Sequence, residues 1–154
     1  MFTQFCSMGI FVMAVAVLVF IAWADRRTME IPDGCHLVLI GLGLLQMLCG
    51  SGLPFGARIL GLFIVALPML LAELIRKDSF GGGDIKMCGS VGFLLGSTQV
   101  LTGSLLALIL AGLFGAASLL VGHKKPKDTF PLGPFLSFGF IVVMVAERVG
   151  VSMA

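Results

Sequence analysis

Charge is scarce in this sequence. Asp, Glu, Lys and Arg make up 12% of its 154 residues, 58% are hydrophobic, and mean hydropathy is +1.12. A soluble domain of this length needs far more polar surface, so the scarcity excludes one and points to an integral membrane protein. Histidine is nearly absent, with His36 and His123 standing alone. The four cysteines, Cys6, Cys35, Cys49 and Cys88, show no CxxC spacing. A zinc site needs thiolates or imidazoles in tetrahedral reach, so no metal is expected and the cysteines read as small apolar residues. No Walker-type loop, dinucleotide fingerprint or Ser/His/Asp arrangement is present, and no cofactor is expected. The basic cluster Lys124–Lys127 suits anionic headgroups at a membrane surface rather than nucleic acid.

What the chain has is long uncharged runs. The first covers Met1 to Ala24, with no basic residues ahead of it as a secretory signal would require, so it reads as a retained transmembrane helix. The others are 35–57, 59–72, 87–122 and 129–146. As one helix, residues 87–122 would extend about 54 Å at ~1.5 Å per residue, well beyond a hydrocarbon core of ~30 Å. A break is expected within Leu94–Val100, "LLGSTQV". The reading is an all-α polytopic membrane protein, one domain over residues 1–154. Its six spans lie near 6–27, 35–50, 56–76, 84–97, 100–122 and 130–150, the fourth starting in an irregular glycine-rich segment.

Charge placement orients the spans. Arg26, Arg27, Arg76, Lys77, Lys86, Lys124, Lys125 and Lys127 fall on alternate connections, leaving only Arg58 and Arg148 for the opposite side. The positive-inside rule makes the richer side cytoplasmic and puts both termini outside. Small residues recur every fourth position at Gly103, Ala107, Ala111 and Gly115, and at Cys88, Gly92 and Gly96. Such stripes let helix backbones approach in lipid, where packing supplies the contact energy.

The acidic residues are the remaining signal. Most have ordinary roles. Asp33 suits a turn or the N-cap of span two, Glu73 pairs with Arg76 or Lys77 or snorkels, Asp128 belongs to a polar loop, and Glu147 neighbours Arg148. Asp25 and Asp84 are different. Asp25 closes a 24-residue uncharged run, and Asp84 follows three consecutive glycines at the entrance of span four. Glycine disfavours a helix interior, and irregular backbone at membrane depth is tolerated only against protein or a wet cavity. Both carboxylates fall at the same membrane face. Two facing carboxylates share a proton, so one serves as base toward water and the other as acid toward a carbonyl. That is the chemistry of aspartyl peptide hydrolysis. Spacing alone also admits a small proton-coupled transporter with the two aspartates as its relay, or a catalytically silent assembly subunit.

The residues also carry a resemblance. "GGGDIK" (Gly81–Lys86) resembles the GxGD motif of the type IV prepilin peptidases. "ADRRTMEIPDG" (Ala24–Gly34) is similar to that family's other aspartate segment, and "FPLGPFLSFG" (Phe130–Gly139) resembles the start of its final helix. The three stand in family order along the whole chain. The resemblance implies cleavage of the basic leader of prepilins or pilin-like proteins at the cytoplasmic face of the bacterial inner membrane. It makes Asp25 and Asp84 the catalytic pair, Gly81 and Gly83 the motif glycines, and Lys86 a basic position that either orients Asp84 or snorkels to the interface. It leaves the oligomeric state undetermined. Many members add a domain with paired CxxC sequences associated with N-methylation. Without those sequences, the resemblance implies a peptidase-only form.

Overall fold

The structure, a computed structural model, describes residues 2–50, 53–77, 80–120 and 131–150. They form helices α1 (Phe2–Thr28), α2 (Asp33–Leu48), α3 (Phe55–Ile64), α4 (Ala66–Ile75), α5 (Gly82–Leu95), α6 (Ser97–Leu120) and α7 (Gly133–Arg148). The expected all-α polytopic architecture is found. With α3 and α4 forming one pass, the chain runs back and forth six times. Among the described residues, three stretches are long and apolar enough to cross a membrane, Gln4–Thr28, Phe55–Ile75 and Ser97–Ser118, and Asp33–Leu48 is a shorter apolar helix. The expected third span is divided at Val65. Pro68 accounts for this, since it has no N–H for the Ile64 carbonyl and its ring crowds that turn. The expected break after span four is at Gly96, whose φ of 92° ends α5 and lets α6 start at Ser97.

Helix α5 is the centre of the bundle. It packs against α2, α3, α4, α6 and α7, and every residue from Met87 to Leu95 is buried. At 14 residues it is about 21 Å long, so its ends fall short of a full hydrocarbon thickness. Close packing around it depends on glycine. A Cβ on Gly61 of α3 would run into the Gly92 carbonyl, and one on Gly92 into the Gly61 carbonyl. Of the other small-residue stripe, Gly103 and Ala107 lie against α7 at Gly139 and Phe140, whereas a Cβ added at Gly115 would meet nothing within 4 Å.

Two sequence readings are corrected here, and a third residue takes an unforeseen role. Arg58, expected at the sparsely charged side, is fully buried in α3. Its Nη1 donates to the carbonyls of Phe93 (3.1 Å), Leu94 (3.4 Å) and Gly43 (3.3 Å), and Nη2 donates to Gln46 Oε1 (3.2 Å). The cation thus sits on the last carbonyls of α5, where a helix end favours positive charge. Cys6 and Cys49 are not simply apolar filler, because they form a disulfide joining the start of α1 to the end of α2. The antiparallel run of those two helices brings these distant positions together. Asp33 does not cap α2. Pro32 occupies the N-cap, and Asp33 is the first helical residue. The Lys124–Lys127 cluster, His123, Asp78 and Asp128 lie outside the described residues.

Candidate active site

Asp25 lies one turn before the end of α1. The helix stops where Met29 takes a positive φ of 53°, a conformation that L residues with a side chain rarely adopt. Ile31 and Pro32 then carry the chain in extended form to α2. On the facing element, Gly81 is the N-cap of α5, and Gly82 and Gly83 form its first turn. The expected irregular segment is therefore confined, among the described residues, to Phe80–Gly81. Asp84 is the third residue of the helix. Its own N–H donates to the Gly81 carbonyl (3.0 Å), and its carboxylate lies beside Gly81. As an acidic residue in the first turn, Asp84 sits at the positive end of the α5 dipole.

The motif glycines have separate steric reasons. A Cβ on Gly83 would lie 3.1 Å from Ile31 Cβ, so this glycine lets the Ile31–Pro32 connection lie on the start of α5. A Cβ on Gly81 would lie 3.0 Å from Asp84 Oδ2. Contact between "EIPDG" and "GGGD" thus brings the two aspartates to one place. Both are buried, Asp25 at 6% and Asp84 at 8% exposure, yet both line one recess of about 340 Å³. Met29, Glu30, Asp33, Gly81 and Lys86 complete much of its wall.

Lys86 does not form its ion pair with Asp84. Its Nζ is 2.7 Å from Asp33 Oδ1, in an exposed pair that ties the start of α5 to the start of α2. The residue that fixes Asp25 comes from α7. Gly133 donates its N–H to Asp25 Oδ2 at 3.0 Å. Sequence reading quoted the segment around Gly133 without giving it a role. Its local signal was the Gly133–Pro134 pair opening a helix, with proline among the first residues, where a missing N–H costs nothing.

Glu73 has a further partner that the sequence does not name. Its Oε2 accepts the N–H of Phe80 at 2.8 Å, immediately before the glycine triplet. The acceptor lies seven residues before its donor, across the turn joining α4 to α5, so helical spacing does not reveal it.

Comparison with known proteins agrees with this geometry. A model of the type IV leader peptidase family matches residues 12–119, which include both aspartates. Proteins named prepilin leader peptidase/N-methyltransferase are similar to the chain. The one from Aeromonas salmonicida (strain A449) is 28% identical over 139 residues, covering 86% of this chain and 48% of the relative. The one from Bacillus subtilis (strain 168) is 25% identical over 131 residues, covering 85% and 53%, and that from Neisseria gonorrhoeae is 27% identical over 137, covering 86% and 46%. The chain spans about half the length of these curated relatives. No solved structure matches it. With the model covering well over half of the chain, and both buried aspartates within the match, the chain belongs to the type IV leader peptidase family.

Proposed function

We propose that this chain is an aspartyl endopeptidase that removes the basic leader from type IV prepilins or pilin-like proteins. The observation that carries the reading is the shared recess, in which two buried carboxylates from different helices face one aqueous pocket. In the proposed reaction the ionised member takes a proton from water, and the resulting hydroxide attacks the scissile carbonyl. The protonated member gives its proton to the carbonyl oxygen. The tetrahedral intermediate then collapses, its C–N bond breaks, and the departing amine takes up a proton. The Gly133 N–H holds the Asp25 carboxylate in place, and Gly81 lies against that of Asp84. Residues 1–154 are read as one membrane-embedded peptidase unit. The relatives' names include methyl transfer, but the chain matches about half of each, and the proposal is confined to cleavage.

The reading places the recess at the cytoplasmic face of the inner membrane. Arg26, Arg27, Arg76, Lys77 and Lys86 gather at the aspartate end of the bundle, which supports that face under the positive-inside rule. The disulfide lies at the other end, and disulfides persist in oxidising compartments. Glu30 and Asp33 on the recess wall suit a basic leader. A proton-coupled transporter is less well supported, since both aspartates lie at one end and no described Asp or Glu lies midway along a helix.

The test is incubation of the detergent-purified chain with prepilin, pseudopilin and Flp-type precursors. Release of the basic leader from at least one is expected. Intact precursors in every case, with proton-dependent solute uptake in vesicles, would favour the transporter instead.

A further inference from the structure

Two bonds tie down the entry to α5. The Phe80 N–H donates to Glu73 Oε2 at 2.8 Å, and the Gly81 carbonyl accepts the Asp84 N–H at 3.0 Å. Only the φ/ψ pairs of Phe80 and Gly81 separate these two peptide planes, so fixing the first limits the direction of the second. At Phe80 that freedom is restricted further, because its half-buried side chain packs against the core. Gly81 has no such restraint of its own. As a glycine it reaches more backbone conformations than any other residue, yet here it holds an extended N-cap geometry (φ −68°, ψ 136°).

We propose that Glu73 is a positioning residue for Asp84. Through Phe80 it holds the N-cap of α5, and with it the Gly81 carbonyl that takes the Asp84 N–H. Glu73 is half-buried near the end of α4 and is not among the residues that line the recess. It serves as a fixed acceptor rather than as an acid or base, so its charge is dispensable and its oxygen is not. The glycine triplet thereby gains the close approach it needs at Ile31 without losing the orientation of the residue that follows.

This inference rests on the proposed cleavage reaction, and the experiment separates the two. Wild type, Glu73→Gln and Glu73→Met are compared as purified proteins on a prepilin that the wild type cleaves. Glutamine keeps the acceptor and the shape, and methionine keeps the length without a comparable acceptor. The Gln variant is expected to stay within about twofold of wild type. The Met variant is expected to lose about 10- to 100-fold in kcat with KM nearly unchanged, the scale set by misplacing a reacting group. Equal loss in both variants would make the charge essential and overturn the proposal, as would full activity of the Met variant. A second arm does not depend on cleavage. The Phe80 amide is expected to exchange slowly with deuterium in wild type and Glu73→Gln. Fast exchange at Phe80 in the wild type would overturn the proposal even if no precursor were cleaved. Slow exchange with no cleavage of any precursor would instead leave the anchor standing and reject the peptidase reading.

Discussion

The backbone N–H of Gly133 and Oδ2 of Asp25 are 3.0 Å apart, joining α7 to α1 across 108 residues of sequence. This bond makes the start of the last helix part of the aspartate's support. Asp25 accordingly depends on a backbone group contributed from the other end of the chain.

Gly133→Ala should therefore disable the site without unfolding the bundle. An added Cβ would lie 2.7 Å from Asp25 Oδ2 and 2.9 Å from its Cγ, too close for either to stay. Displacement of a reacting group by about 1 Å costs on the order of 10²-fold. Leader cleavage should fall by that order, with expression and detergent elution unchanged. Wild-type rates for Gly133→Ala would show that the contact has no bearing on catalysis.

Arg58 should matter to stability more than to chemistry. It donates to three backbone carbonyls and one side-chain amide from inside the bundle. Arg58→Met removes these donors, and each buried acceptor left unmet costs about 1–3 kcal/mol. A large fall in the melting temperature of the detergent-purified protein is expected. Arg58→Lys should not restore it, because an ammonium lacks the planar fork that reaches several acceptors at once. A Lys variant as stable as wild type would mean that charge alone suffices.

The same residues show what sequence reading reaches and where it stops. Six passes and the break at Gly96 were legible because charge and helix-breaking residues punctuate an apolar chain. Asp25 and Asp84 stood out because buried charge needs a reason. The centrality of α5 was not legible, since most helices here are apolar and a small-residue stripe occurs on α6 as well as on α5. The buried role of Arg58 was not legible because its acceptors are mostly carbonyls, which every residue has. Lys86 was left between two roles, and its partner Asp33 is 53 residues away. Val65 was missed although Pro68 was in plain view, because a proline inside an apolar run kinks a pass without ending it.

Thiol counting should test the disulfide. Cys6 and Cys49 are paired, whereas Cys35 and Cys88 are free and buried. Protein taken from membranes under alkylating conditions and then denatured should accept two maleimide groups, rising to four after reduction. Four before reduction would show that the bond does not form in the cell. Cysteine labelling from the outside at Thr98, at the far end of the bundle from the aspartates, would place that end with the disulfide; labelling only from the cytoplasm would reverse the proposed orientation.

The aspartates give the most direct test. If Asp25 and Asp84 share a proton and activate one water, neither acts alone. Asparagine keeps the shape and accepts the same backbone N–H, but it cannot exchange the proton. Asp25→Asn and Asp84→Asn should each lower cleavage by about 10²–10⁴-fold or more, the usual range for losing a general acid or base. The double variant should be no worse than either single one, because residues acting as a unit are strongly non-additive. The pH profile of the wild type should be bell-shaped. On the acid side both carboxyls are protonated and no base is left, and on the alkaline side both are ionised and no acid is left. The two limbs belong to the pair rather than to either residue. Glu147→Gln, at the far end of α7, serves as the control and should retain full activity. An Asn variant that cleaves near the wild-type rate would remove the dyad from the mechanism.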